Sequence, residues 1–293
     1  MFCRKPRNRN SFRSPTHLER LEQRLPLAGN VTAELTGSTL RLAGDNLAND
    51  VMVASVAGGR IAVIGMNTTI NGGTGAFVSS TAVTSIVANF NGGDDAVGFG
   101  NRAADFASQR LFAMLAFSPA SAWSGEQQPP APFDVAALQA RIDAAAGGVT
   151  MFSIPGSLTV ATGDGNDSLG ISGDLGGSVV VNLGSADIGN GVVIGAEEAA
   201  SRVGGSVSVK VLGNVVVNTG TGNDGDTVRL VGDIRRDVSV TTGGGRDTVC
   251  VSSSVGWVST AGSDPVSRRG FWCSRRPKSR SSRSMSARST RRT

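Results

Sequence analysis

The stretch "GNVVVNTGTGNDGDTVRL", residues 213–230, places a run of valines before a turn of glycine, asparagine and aspartate, and then begins a second β-type run. Valine and threonine favour the pleated surface of a strand. Glycine, asparagine and aspartate are the residues of tight turns. The stretch therefore predicts two short strands joined by an acidic turn.

The same plan recurs along the chain. It is clear in "GSLTVATGDGNDSLGI" (156–171) and "RDVSVTTGGGRDTVCV" (236–251), earlier in "TSIVANFNGGDDAVGF" (84–99), and degraded in "GSVVVNLGSADIGNGVVI" (177–194). A strand-turn-strand unit repeated at about 20 residues is typical of stacked coils. We predict an all-β chain, with parallel β-solenoid or β-roll repeats. A β-sandwich is the alternative, because antiparallel hairpins use the same turn residues.

The β pattern breaks between residues 101 and 150. "RAADFASQRLFAMLAF" (102–117) has small and apolar residues at helical spacing. "FDVAALQARIDAAAGG" (133–148) offers Asp134 as N-cap, an apolar face with Leu138 and Ile142, and Gly147 as a stop. We predict a helical hairpin that is inserted between two β blocks and covers an exposed face or edge of the β structure.

These boundaries divide the chain into five parts. They are a basic leader (1–30), N-terminal β repeats (31–100), the helical insertion (101–150), a C-terminal β-repeat block (151–262) and an Arg/Ser-rich tail (263–293). The tail cannot bury apolar surface and is predicted to be disordered. It is interpreted as a solvated tail, as sequence translated out of frame, or as an arm for nucleic acid or another anionic polymer.

Charge is unevenly distributed. The net charge is +5, but residues 265–293 carry ten Arg or Lys and no acid, and residues 1–24 carry seven Arg or Lys against two Glu. The remaining middle has a net charge of −10. The predicted folded part is therefore acidic, and we expect nucleic acid to bind only through the tail. No apolar run approaches the roughly 18 residues of a membrane span.

Residues for nucleophilic catalysis are scarce. The only histidine is His17, in the basic leader, so Ser-His and Cys-His schemes lack a base. We expect no enzymatic activity. The alternative is a β-helical polysaccharide lyase or glycosidase, in which acids would act with Arg229, Arg235, Arg236 and Arg246.

The cysteines Cys3, Cys250 and Cys273 are odd in number, widely spaced and form no CxxC motif. This spacing is interpreted as that of unpaired thiols.

The acidic turns suit a hard cation. Ca²⁺ takes about six to eight oxygen ligands from carboxylates and backbone carbonyls. In a Gly-x-Gly-x-Asp turn, glycines permit left-handed backbone angles that direct carbonyls inward, and the aspartate closes the cage.

Four turns resemble the RTX, or haemolysin-type, calcium-binding repeat, Gly-Gly-x-Gly-x-Asp-x-apolar-x. They are "NGGDDAV" (91–97), "GDGNDSL" (163–169), "GTGNDGDTV" (220–228) and "GGGRDTV" (243–249). The resemblance implies Ca²⁺ as cofactor and the following site residues: Asp95, Gly163, Gly165, Asp167, Gly220, Gly222, Asp224, Asp226, Gly243, Gly245 and Asp247.

Spacing between aspartates indicates which turns stack. Asp226 lies 21 residues before Asp247, which favours Asp226 over Asp224 as the aspartate in register. Asp167 and Asp187, 20 residues apart, are also predicted to lie on neighbouring coils. Asp95, 72 residues before Asp167, is predicted not to neighbour it.

A second resemblance lies before the first β repeat. "LERLEQRLPLAGN" (18–30) resembles the LEPR-XLL motif, Leu-Glu-Pro-Arg-x-Leu-Leu, of many planctomycete surface proteins, with Gln23 and Pro26 departing from it. It implies an exported or cell-surface protein whose partners are cell-envelope or extracellular matrix components. The whole sequence thus predicts a non-enzymatic, extracellular β-repeat protein stabilised by Ca²⁺ in its turns.

Overall fold

The computed structural model describes residues 29–104, 134–186, 189–195, 209–221, 225–245, 247–261 and 272–275. Of these, residues 253–261 and 272–275 are described by their backbone alone. The prediction of an all-β chain is confirmed, because nineteen strands and one complete helix make up the regular structure of these residues. Residues 1–28, most of the segment 102–117, and residues 262–271 and 276–293 lie outside them.

The strands follow one another closely. In the N-terminal part they are β1 (Gly29–Thr36), β2 (Thr39–Ala43), β3 (Asp50–Val56), β4 (Arg60–Gly65), β5 (Thr68–Ile70), β6 (Phe77–Val78), β7 (Ser85–Asn89) and β8 (Ala96–Phe99). Helix α1 (Val135–Ala146) follows. The C-terminal part contains β9 (Ser153–Ile154), β10 (Leu158–Ala161), β11 (Ser168–Ile171), β12 (Asp174–Leu175), β13 (Val179–Asn182), β14 (Gly191–Ile194), β15 (Val209–Val211), β16 (Val215–Asn218), β17 (Thr227–Thr241), β18 (Thr248–Ala261) and β19 (Trp272–Arg275).

Most strands join one of three parallel sheets. The first contains β2, β7, β10, β13 and β16. The second contains β3, β8, β11 and β14, and the third β9, β12 and β15. The long strands β17 and β18 pass through all three sheets. One passage of the chain through the three sheets is called a coil below.

Successive repeats pair in parallel register. Val215–Val217 lie beside Val238–Val240 residue for residue, and β13 pairs with β16 in the same way. Among the described strands, antiparallel pairing occurs at β1–β2, β3–β4, β4–β6 and β18–β19. The paired repeats therefore lie side by side in parallel, and antiparallel strands gather near the two ends of the described chain.

The core consists of the inward side chains of the three sheets. In the first sheet, Leu158, Val179, Val215 and Val238 follow one another across the strands and are all 0% exposed. The alternate residues of these strands face outward. Each buried aliphatic side chain contributes roughly 1.5–3 kcal/mol relative to an exposed one, so each of these strands turns its more apolar face inward.

Helix α1 confirms the prediction for residues 134–147. The Asp134 side chain accepts a hydrogen bond from the Ala137 N–H, and Gly147 ends the helix in the left-handed conformation. Leu138 and Ile142 pack on Met52 and Ile64, which belong to β3 and β4. The helix therefore covers an outer face of the β structure, as the composition of the insertion predicts.

The interpretation of Cys250 as an unpaired thiol is wrong, because Cys250 is disulfide-bonded. Strand β19 runs back antiparallel along β18, and this pairing places Cys273 directly opposite Cys250. The spacing of the cysteines in the sequence could not indicate this pairing, because the pairing depends on the antiparallel register between β18 and β19.

Candidate functional site

Six Asn or Asp residues form a buried column along one corner of the stack, where each coil enters the second sheet. We call it the Asx column. Every member immediately precedes a strand or stretch of that sheet, and every member is at most 3% exposed. Its members are Asn49, Asp95, Asp167, Asn190, Asp226 and Asp247.

Side-chain oxygens join the members of the Asx column in series. The Asn49 N–H donates to Asp95 Oδ1 at 2.8 Å, and the Asp95 N–H donates to Asp167 Oδ1 at 2.9 Å. The series continues from Asp167 to Asn190 at 2.9 Å, from Asn190 to Asp226 at 2.7 Å and from Asp226 to Asp247 at 3.1 Å. Each coil is thus bonded to the next by a side-chain acceptor and a backbone donor, and the buried N–H groups of the first five members are satisfied.

A threonine at the preceding corner supplies the second partner of three aspartates. Thr162 Oγ1 lies 2.5 Å from Asp167 Oδ2, and Thr242 Oγ1 lies 2.8 Å from Asp247 Oδ2. Thr219 Oγ1 bonds to Asp226 Oδ2 in the same way. In the coil of Asn190 this corner holds Leu183, and the Asn190 amide donates instead to the carbonyl oxygen of Thr219 at 2.8 Å.

Asp95 lacks this second partner. The corner position of its coil holds Phe90, which is 0% exposed and cannot donate a hydrogen bond. Asp95 Oδ1 accepts the N–H and the side-chain amide of Asn49, but Asp95 Oδ2 is buried with no hydrogen-bond partner. An unpartnered buried carboxylate oxygen is costly in its charged form, so this position favours a neutral acid.

Burial shifts the acidity of the column. It raises the pKa of Asp95 to about 8, against the lowering effect of the Asn49 N–H. It raises the pKa of Asp167 to about 7, against the lowering effect of the Thr162 hydroxyl and the Asp95 N–H. The negative charge of Asp167 and, less strongly, that of Asp94 raise the pKa of Asp95 further, and those of Asp94 and Asp164 raise the pKa of Asp167. Both carboxyls therefore change protonation state close to neutral pH.

The glycines of the acidic turns let the coils approach closely. A Cβ added at Gly163 would lie 2.3 Å from the Asn91 carbonyl oxygen, and one added at Gly220 would lie 1.7 Å from the Gly184 carbonyl oxygen. Both glycines have positive φ, as predicted, at 88° and 110°. Gly165, Gly243 and Gly245 also have positive φ. The carbonyl oxygens of Gly163 and Gly220 lie close to Gly184 and Gly243 of the neighbouring coils.

The register prediction for the third turn is confirmed. Asp226, one of the two aspartates considered, occupies the Asx column and bonds to Asn190 and Asp247. Asp224, Gly222 and Arg246 lie outside the described residues. Asp226, which belongs to the additional Gly225–Asp226 pair, is therefore the aspartate that immediately precedes the second sheet.

The prediction that Asp95 and Asp167 do not neighbour each other is wrong. Their coils pair directly, Ala96 beside Ser168, because the helical insertion leaves and rejoins the stack within a single coil. The neighbour of Asp167 on its other side is Asn190, in the position that the spacing predicted for Asp187. Asp187 itself lies outside the described residues.

The aspartates of the Asx column are engaged mainly within the protein. Both carboxylate oxygens of Asp167 accept protein hydrogen bonds, and so do both of Asp247. Among the residues that the structure describes, no three His, Cys, Asp or Glu side chains are grouped so that they could hold a metal ion. This geometry favours a structural role for these carboxylates, and calcium binding stays a prediction based on the RTX resemblance.

Sequence reasoning did not identify the asparagines and hydroxyl residues of the stack. The Thr-to-Asp spacing of five residues in "TGDGND" and "TGGGRD" is visible in the sequence and could have indicated the Thr162 and Thr242 contacts. Asn49 and Asn190 carry no comparable signal. A second series begins at Ser85, whose Oγ accepts the Ser157 N–H at 3.3 Å, and continues through Ser178 to Asn214.

The described arginines of the enzyme alternative, Arg229, Arg235 and Arg236, lie at different places along β17. Arg235 pairs with Asp233 at 3.0 Å, and both side chains are exposed. Arg229 lies in the second sheet, in register with Val193, whereas Arg235 and Arg236 lie at the register shift of β17 between the third and first sheets.

A cleft beside helix α1 has a volume of about 350 Å³. It is lined in part by Asn101, Gln139 and Asp143. The Gln139 amide already accepts the Ala103 N–H and donates to Asp143, and the Asn101 amide bonds to Ser55 and Val149. These amides hold the insertion against the β structure.

Among the described helices, none is both long and apolar enough to cross a membrane. Comparisons with protein-family models, with curated proteins and with solved structures find no match to this chain.

Proposed function

We propose that the protein is a non-enzymatic, exported or cell-surface scaffold, a parallel β-solenoid whose coils are joined by the Asx column. The observation that carries the proposal is the unbroken series of bonds from Asn49 to Asp247. Its buried carboxylates serve to connect coils and are not presented to an external substrate.

The strand pairing supports the solenoid. Parallel register between repeats extends through all three sheets, and β17 and β18 each follow a complete coil. In such a stack each coil contacts mainly its neighbours, so stability is approximately a sum of nearest-neighbour terms. Regular side-chain bonds between coils are suited to this arrangement, because the same contact is repeated at every junction.

Two observations support export. Cys250 is disulfide-bonded, and disulfides persist mainly in oxidising compartments. The segment 18–30 resembles the LEPR-XLL motif of planctomycete surface proteins. Cell-envelope or extracellular matrix components are therefore the proposed partners.

Surface labelling tests the proposed location. Intact cells that produce the protein are treated with a membrane-impermeant amine-reactive biotin, and labelled protein is captured and detected with an antibody against residues 151–262. We expect labelling of intact cells or recovery from the medium. Recovery solely in the cytosolic fraction, with labelling seen after lysis alone, would contradict export.

Calcium is the second part of the proposal. If Ca²⁺ bridges the acidic turns, it removes repulsion between aspartates and cross-links the coils. We expect millimolar Ca²⁺ to raise the melting temperature and the β signal in circular dichroism, and Mg²⁺ to do so less. Identical melting curves in Ca²⁺ and in EDTA would sink the calcium proposal and leave the scaffold proposal standing.

A further inference from the structure

The outer face of the first sheet carries three straight columns of side chains. The central column is aliphatic or β-branched and consists of Val87, Thr159, Val180 and Val216, which are register partners on four successive strands. The three valines are 36–39% exposed. Together with the partly exposed Thr159, which lies between Val87 and Val180, they form a stripe across four strands, whereas single apolar residues scattered over a surface would need no explanation.

Polar columns flank the aliphatic stripe on both sides. On one side Ser85, Ser157 and Ser178 each accept a backbone N–H of the next coil, so each hydroxyl keeps its own hydrogen for another acceptor. On the other side Asn89, Asn182 and Asn218 lie beside the stripe, with Ala161 between Asn89 and Asn182, and Asn218 donates to Asn182 Oδ1 at 3.2 Å. The face therefore offers an apolar centre between hydroxyl and amide edges.

Charge selects the kind of partner that fits this face. Strands β7, β10, β13 and β16 contain no charged residue, and charges occur at the two ends, at Arg41 and Asp237. The nearby turns carry the exposed acids Asp94 and Asp164. An anionic polymer would be repelled by these turns, and a cationic one would find no acid on the four strands of the face, since Asp237 lies at its end.

The small area of this face argues against a second copy of the chain as its binding partner. With strands about 4.8 Å apart and alternate residues about 7 Å apart, the face covers only a few hundred Å². A stable protein dimer buries roughly 800 Å² on each partner. A narrow polymer that lies along the stripe needs much less area at each repeating unit.

We propose that this face binds a neutral polysaccharide, with the apolar faces of its sugar rings on the Val87–Val216 stripe and its hydroxyl groups at the serine and asparagine columns. The inference names a partner for the proposed surface scaffold. This inference depends on the proposed function in one respect: the protein has to be exported in order to contact a polysaccharide outside the cell.

The test uses the purified full chain and cosedimentation with three insoluble neutral polymers: microcrystalline cellulose, chitin and β-1,3-glucan. We expect binding to at least one of them. The pair V180K and V216K, which places charges at exposed positions, is expected to weaken it by about tenfold or more. The matched control is V78K, because Val78 is 38% exposed but lies on β6, outside this face.

A second pair, N182D and N218D, adds charge to the amide column and is expected to weaken binding as well. The proposal is overturned if the wild type binds none of the three polymers, if it binds pectate but no neutral polymer, or if both charged pairs bind as the wild type does. Because the assay uses purified protein, a failure here is distinct from a failure of surface labelling.

Discussion

Replacing Asp167 by alanine is expected to lower the free energy of unfolding by roughly 3–5 kcal/mol. The substitution removes the acceptor of the Asp95 N–H and the partner of the Thr162 hydroxyl, both inside the stack. A buried polar group left without a partner costs about 1–3 kcal/mol, and the missing carboxyl adds a cavity. Urea denaturation followed by circular dichroism measures the change.

Two companion variants separate the column from the acidic turn in general. Asp167→Asn keeps an acceptor for the Asp95 N–H and is expected to cost less than about 1 kcal/mol, since Asn190 fills the same position in the next coil. Asp164→Ala removes an exposed acid of the same turn and should change stability by about 0.5 kcal/mol or less. If Asp167→Ala is as stable as the wild type, or Asp167→Asn as unstable as Asp167→Ala, the Asx column does not join the coils.

Much of the β structure could be predicted because it depends on local patterns. Alternation of apolar with polar residues fixes the buried face of β2 and β15, and the glycines of the turns adopt positive φ at little steric cost. The helix at 135–146 is likewise marked by its own cap residues, Asp134 and Gly147. These features follow from properties of a few adjacent residues.

The site was harder to predict because membership of the Asx column is set by stacking. Asp95 and Asp167 are far apart in sequence but neighbours in space, since the insertion between them leaves the coil and returns to it. Asn190 enters the column because of the register between β11 and β14. A turn motif indicates which residues could bind a cation. Whether their oxygens are buried depends on the coils that pack on either side of the turn.

Stability is expected to fall as the pH rises from about 5 to about 8. In the folded protein the pKa values of Asp95 and Asp167 are raised to about 8 and about 7 from an ordinary value of 3.8. Between 3.8 and these values the folded state holds protons that the unfolded state has lost, so stability decreases with pH. The slope is at most about 1.4 kcal/mol per pH unit for each carboxyl. Urea denaturation at several pH values measures it.

Burial is the main cause of the raised pKa values, and the hydrogen bonds at Thr162 limit how far its hydroxyl lowers the pKa of Asp167. Thr162 Oγ1 lies close to both Asp167 Oδ2 and the Leu183 carbonyl oxygen, at 2.5 and 3.1 Å, and its single hydrogen cannot serve both acceptors fully. A protonated Asp167 donates to Thr162, which then donates to Leu183, and every oxygen is satisfied. Ionisation removes one of these two bonds inside a buried site.

Asparagine variants test whether these two carboxyls cause the pH dependence. The double variant Asp95→Asn and Asp167→Asn mimics the neutral acids and is expected to lose most of the decline between pH 5 and 8. Asp94→Asn, at an exposed acid beside both carboxyls, should keep most of it, because the Asp94 charge is a smaller cause of the raised pKa values than burial. A wild-type stability that is flat or rises over this range, or an unchanged slope in the double variant, would show that the column is ionised in the folded protein. The buried carboxyls would then need a counter-charge, and a cation at the turns would become the better explanation of how the coils are joined.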